Sequence, residues 1–85
     1  MKRKSIYVVT KEHTFDGERD VHWFDYAEDA IGFIENDWKE YVATERRENA
    51  TALNENRTYC AGDFATVEWY DGDRTEWYMD HARKG

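Results

Sequence analysis

Alternation marks the first segment of the chain. In residues 5–11, Ile6 and Val8 fall on one side of an extended backbone and Tyr7 and Val9 on the other. Both sides are partly apolar, which suits a central strand. Asp16-Gly17 is a turn signal, because glycine takes positive φ without steric cost. Residues 20–24 form a second strand and close a hairpin on the first. The period then changes from two to 3.6. Asp25 is placed to cap free helix amides, and Glu28 stands at the reciprocal capping-box position. Ala27, Ala30, Ile31, Ile34, Trp38, Tyr41 and Val42 fall in one stripe about 120° wide. Glu28, Asp29, Glu35, Lys39 and Glu40 lie outside it, with Glu35 and Lys39 at favourable i,i+4 spacing. After Val42 the stripe turns polar, since Glu45 and Asn49 occupy the apolar register. The helix therefore leaves the core or ends near residue 48. Residues 49–57 hold three Asn and a single large apolar group, Leu53, and read as a loop.

Residues 64–70 and 74–80 make a second hairpin around Asp71-Gly72-Asp73. A three-residue loop at that tip sets Ala65, Val67, Trp69, Thr75, Trp77 and Met79 on one face. Thr66, Glu68, Tyr70, Arg74, Glu76 and Tyr78 fall on the other. The same register sets Glu68 opposite Glu76, a like-charge pair that stability would not select. The order ββαββ predicts an α+β fold: a four-stranded, mostly antiparallel sheet with one helix packed on one face. One helix hides one side only, so Tyr and Trp side chains should be partly exposed on the other.

Composition sharpens this picture. Residues 1–85 are too few for two cores and form one domain. Three Ile, five Val and one Leu are the whole aliphatic stock, against four Trp, six Tyr and four Phe. Each buried aromatic removes on the order of 150–250 Å² from water, so the expected core is small and built from aromatics. Stability at this size should be marginal, which raises the expectation of a partner or of a homodimer.

Catalytic equipment is sparse. Cys60 stands alone, with neither a base nor a positive environment near it in sequence. It reads as a reduced, intracellular small hydrophobe. His13, His22 and His81 are scattered, although His13 and His22 can approach each other in the first hairpin with Asp20 close by. Histidines on a surface or edge strand explain them better than a metal site does. The one serine, Ser5, follows the basic start of the chain, and the five Gly form no phosphate loop. The expectation is a non-enzyme with no metal and no cofactor; the competing reading is a small hydrolase or metal protein using His22, His81 or Cys60. Met1-Lys2-Arg3-Lys4 resembles the start of a signal peptide, but the apolar run after it is four residues long and no small-residue cleavage site follows. No stretch approaches the roughly 20 apolar residues of a membrane span. The cytoplasm of a bacterial host is the expected location.

Charge carries the functional reading. The formal net charge is -7 and the pI about 4.8, which excludes a basic nucleic-acid binder. Residues 12–80 hold all nineteen acids against six bases, so the body is at -13 and both ends are basic. Those ends either fold back onto the body or serve as solubilising tails. Glu28, Asp29, Glu35, Asp37 and Glu40 stud the solvent side of the helix. Glu68, Asp71, Asp73, Glu76 and Asp80 surround the second hairpin, with Tyr70 and Tyr78 between them. Acids two apart on a strand are about 6.6 Å apart, and those one helical turn apart about 6 Å, close to the spacing of phosphates along a nucleic-acid strand. Such a surface can occupy a cationic groove built for a polynucleotide. Tyr26, Tyr70 and Tyr78 would add uncharged anchors. The plain alternative is charge that keeps a small domain soluble.

In size, acidic body, aromatic-rich ββαββ layout and lack of catalytic residues, the chain resembles the small acidic proteins of bacteriophages and mobile elements, of which anti-CRISPR proteins are the best-known group. The run Trp23-Phe24-Asp25-Tyr26-Ala27-Glu28-Asp29-Ala30 is similar to a strand-into-helix junction of many small phage and bacterial proteins. The resemblance implies an inhibitor that binds a Cas effector and blocks DNA entry or cleavage. It brings no motif and assigns no residue. The competing expectation is a small homodimeric structural or regulatory module that uses its aromatic open sheet face.

Overall fold

A computed structural model describes residues 4–84, with side chains described for residues 6–81. Strands β1 (Lys4–His13) and β2 (Arg19–Phe24) precede the single long helix α1 (Ala27–Glu48). A 3-10 turn (Glu55–Arg57) leads to β3 (Tyr59–Cys60), β4 (Phe64–Glu68) and β5 (Arg74–Lys84). The fold is α+β with one helix, as expected. The order is ββαβββ rather than ββαββ, and the sheet has five strands, arranged β2-β1-β5-β4-β3 with every ladder antiparallel. The extra strand, β3, is two residues long, too short to show a period in the sequence. β1 lies inside the sheet, as its two apolar faces require.

Both predicted hairpins form, and each turn ends in a left-handed glycine. Gly17 (φ 72°) donates its N–H to the His13 carbonyl at 2.9 Å. In the second hairpin Trp69 N–H bonds to the Asp73 carbonyl at 2.9 Å, and the loop is Tyr70-Asp71-Gly72, with Gly72 at φ 98°. A three-residue hairpin loop takes its left-handed residue last, so the tip centres on Asp71 and not on Gly72. The ladder is thereby offset by two residues from the predicted one. Faces are kept while partners change: Ala65 pairs with Trp77, Val67 with Thr75, and Glu68 with Arg74. The Glu68–Glu76 clash does not exist. Like charges do meet elsewhere, at Glu12 and Glu76 on β1 and β5. There Arg19 lies 3.2 Å from Glu12, Arg74 lies 3.3 Å from Glu76, and the Tyr78 hydroxyl donates to Glu12.

α1 begins one residue later than Asp25 capping would place it, with Tyr26 at the N-cap position and no hydrogen bond from the Tyr26 side chain. It ends at Glu48, where the polar residues in the apolar register put it. Ala30, Ile34 and Val42 are fully buried against β1, β4 and β5. The buried core is Val9, Ala30, Ile34, Val42, Leu53, Ala65, Val67 and Trp77. It is aliphatic with one aromatic, not the aromatic core that composition suggested. A helix about 10–12 Å across cannot cover five strands spaced about 4.8 Å apart. The larger rings form a half-buried rim around the buried apolar cluster: Tyr7, Phe24, Phe33, Trp38, Tyr41 and Trp69. Trp38 ties the helix to the sheet by donating its indole N–H to the Thr66 carbonyl at 3.0 Å.

The uncovered side of the sheet carries Val8, Thr10, Val21, Trp23, Tyr59, Phe64 and Tyr78, by their register with one another. Trp23 (65%) and Tyr59 (49%) are exposed there, as the one-helix architecture predicted. At the far end of β1 and β5, Lys4 pairs with Lys84 and Ser5 with Arg83. In backbone, these parts of the basic ends lie beside each other; Met1–Arg3 and Gly85 are outside the described residues. No described helix is long and apolar enough to cross a membrane.

Candidate functional site: an acidic groove with aromatic walls

The last three turns of α1 project Asp37, Glu40, Tyr41, Thr44 and Glu45 along one flank, because positions three and four apart share a helix face. Beyond the helix end this flank meets the turn after β1 and the tip of the β4–β5 hairpin. Two adjoining cavities result. One, of about 310 Å³, is lined by Asp37, Glu40, Tyr41, Thr44 and Glu45. The other, of about 370 Å³, shares Tyr41 and Glu45 and adds Phe15, Asn49, Trp69, Asp71 and Asp73. Five carboxylates thus border one groove, and neither a Lys nor an Arg lines it.

The walls are fixed by ring packing. Phe15 and Tyr41 each stand edge-on to Trp69, with centroids 5.9 and 6.2 Å away. His13 lies 4.9 Å from Phe15 and 6.1 Å from Tyr41. The acids are held as well. Glu45 Oε1 accepts from the Trp69 indole at 2.9 Å and from the Asn49 amide at 3.2 Å. Asp73 Oδ1 accepts from the Thr14 hydroxyl at 3.0 Å, and Asp71 Oδ1 from the Asp73 N–H at 2.9 Å. Asp37 is the most constrained: its Oδ2 accepts from the Trp77 indole at 2.8 Å and pairs with Lys11 Nζ at 3.0 Å. Among the described residues, no ion pair involves Glu40, Glu45, Asp71 or Asp73. The negative field is felt by Tyr41. Its phenol is pushed up, first by burial and then by the charges of Glu45 and Asp16, against the lowering effect of its bond to Thr75.

The twelve residues singled out in the sequence do not form one strip. Asp37, Glu40, Asp71 and Asp73 converge on the groove. Tyr70 sits at the hairpin tip, 68% exposed. Glu28 and Asp29 lie in the first turn of α1, where they complement the helix dipole. Glu35 is engaged by Lys39 at 2.8 Å, and the ammonium holds its carboxyl below the ordinary range. Glu68, Glu76, Tyr78 and Asp80 are on the opposite side of the sheet. There Glu68 is 3.7 Å from Arg57, and Tyr78 keeps its proton to higher pH because Glu12 accepts it. Sequence reasoning missed Phe15, Tyr41, Glu45, Asn49 and Trp69. The usable signal was Glu45 and Asn49 breaking the apolar stripe.

The arrangement suits cations. Carboxylates attract them, and aromatic faces add cation–π attraction; Lys11 already uses it, 5.0 Å from the centroid of Tyr41. His13 Nδ1 and Thr75 Oγ1 are 2.7 Å apart, but Thr75 is fully buried and this pair anchors β5 to β1. His22 packs on Phe33 at 4.5 Å, away from His13, so the two histidines of the first hairpin are not neighbours. No group of three or more potential metal ligands occurs among the described residues. No protein-family model matches the chain, and neither a curated protein nor a solved structure is significantly similar to it.

Proposed function

We propose that this protein is a non-enzymatic inhibitor, encoded by a phage or mobile element and acting in the cytoplasm of a bacterial host. It binds the basic nucleic-acid groove of a defence effector of the CRISPR-Cas type and blocks DNA binding or cleavage. The observation that carries the reading is the groove itself: aromatic walls and five bordering carboxylates, of which Asp37 is paired with Lys11 and the other four form no ion pair among the described residues. Lysines and arginines that normally neutralise phosphates would enter it and displace the cations that screen its carboxylates, as they displace condensed cations from DNA. The contact narrows to Glu40, Glu45, Asp71 and Asp73, with Tyr70 beside them, since Glu35, Asp37, Glu68 and Glu76 are engaged by cations of the chain itself. Nucleic acid is repelled by the same charge.

The test is binding to a guide-loaded, DNA-cleaving CRISPR effector at rising salt, with and without competing target DNA. One-to-one binding that weakens about tenfold or more between low and high salt, and that DNA displaces, supports the reading. The Glu40→Gln/Asp71→Asn/Asp73→Asn variant should lose most of the affinity while keeping its fold. Binding indifferent to salt overturns the electrostatic reading. A second reading, a homodimeric interaction module, draws on Trp23, Val21 and Tyr59 standing exposed on the uncovered sheet face.

A further inference from the structure

β2 is an open sheet edge of an unusual kind. It pairs with β1 in unbroken register from Arg19–Glu12 to Phe24–Tyr7, so no bulge twists it away. It contains neither Pro nor Lys, its charges are confined to Arg19 and Asp20 at one end, and every residue from Arg19 to Trp23 is exposed. Proteins ordinarily blunt such edges with these devices, because a free row of N–H and C=O groups templates further pairing. The opposite edge, β3, needs none: it is two residues long.

The direction of the free groups follows from the ladder. His13 N–H bonds to the Glu18 carbonyl at 3.0 Å, which makes 13–18 a hydrogen-bonded pair. Hydrogen-bonded and non-bonded pairs alternate along an antiparallel ladder. Asp20, His22 and Phe24 therefore turn their backbone groups toward β1, and Arg19, Val21 and Trp23 turn theirs outward. Thr14 N–H bonding to Arg74 O at 2.9 Å, on the far side of β1, fits the same alternation.

We propose that two copies of this chain associate through β2, antiparallel about a two-fold axis at Val21, to give one continuous ten-stranded sheet. In that register Val21 meets the partner's Val21, Arg19 meets the partner's Trp23, and Asp20 meets the partner's His22. All outward N–H and C=O groups of both strands are then paired. The side chains complement one another: an apolar contact on the axis, a guanidinium against an indole on each side, and a carboxylate against an imidazole on the helix face. Moving the axis to His22 would set Asp20 against Phe24 and His22 against its own copy, and would put Arg19 opposite Asp25, beyond the end of β2. This edge is separate from the acidic groove, so the proposal is independent of what the groove binds. It also differs from face-to-face stacking of the uncovered sheets.

Sedimentation equilibrium of the full chain, from micromolar to millimolar concentration, tests it, together with amide exchange. The expected result is a concentration-dependent dimer in which the amides of Arg19, Val21 and Trp23 become protected as dimer forms. Val21→Pro removes an N–H that points away from β1, a position where proline is tolerated in an edge strand. It should weaken association by about tenfold or more with the circular dichroism spectrum kept. Val21→Lys, which sets two like charges on the axis, should do the same should the proline variant fail to fold. Tyr59→Ser, far from β2 on the uncovered face, should leave the dimer intact. A wild-type chain monomeric throughout, a dimer indifferent to both Val21 variants, or a dimer lost in Tyr59→Ser overturns the assignment.

Discussion

Glu45 occupies the apolar register of α1 yet carries a charge, and its carboxylate finds donors in Trp69 and Asn49. Glu45→Gln keeps an acceptor for the indole while removing the charge. The Tyr41 phenol should then titrate at lower pH but stay above its ordinary value, since burial is the larger cause; the ultraviolet absorbance of tyrosinate measures this. Tyr41 and Tyr78 both have raised folded-state values. Their contribution to stability is complete below the ordinary phenol pKa and is lost as pH rises through the folded-state values. Stability should therefore fall on the alkaline side of pH 10.0, and Tyr41→Phe should reduce that fall. Trp77 is fully buried and donates to Asp37. Trp77→Ala should cost about 3–5 kcal/mol in urea unfolding, comparable with the whole stability of a domain this small.

Single elements were legible to different degrees. The helix could be read almost to the residue, because seven apolar positions at one period leave little freedom and Glu45 and Asn49 mark where burial ends. β3 could not be read: two residues have no period, and their place depends on β4 being there to pair with. The second hairpin lies between these cases. Alternation determined its faces, while the left-handed position of Gly72 set the turn centre and hence the partners. Two glycines make this testable. Gly32 sits in α1 with no heavy atom within 4 Å of an added Cβ, so Gly32→Ala should stabilise by about 0.5–1 kcal/mol. At Gly72 space is equally open but φ is 98°, so Gly72→Ala should destabilise by about 1–2 kcal/mol. Thermal unfolding of the two variants should shift in opposite directions.

At the scale of the molecule, net charge and sheet coverage dominate. A body at -13 repels itself. Raising salt from very low to physiological strength should raise the unfolding midpoint, and Asp71→Asn/Asp73→Asn, which keeps both turn acceptors, should shrink that response. Calorimetry at two salt concentrations checks both. The candidate site was only partly legible at this scale. Asp37, Glu40, Asp71 and Asp73 were visible as acids, but so were Glu68, Glu76 and Asp80, which end on the other side of the sheet. Alternation puts Glu68 and Glu76 on the hairpin face away from the core, but it does not bring Asp71 and Asp73 to the acids of α1. That gathering depends on which flank of α1 the turns approach.

Periodicity and the count of helices are local properties of the chain, and they were enough to establish the class of fold, the helix, the two faces of each hairpin and the uncovered side of the sheet. Tertiary structure alone decided the strand order, the hairpin partners, which acids are matched by Lys or Arg, and the gathering of Phe15, Tyr41, Glu45 and Trp69 around one groove. Those depend on turn conformation and on contacts between residues distant in sequence, such as Trp69 with Glu45, which no local pattern encodes.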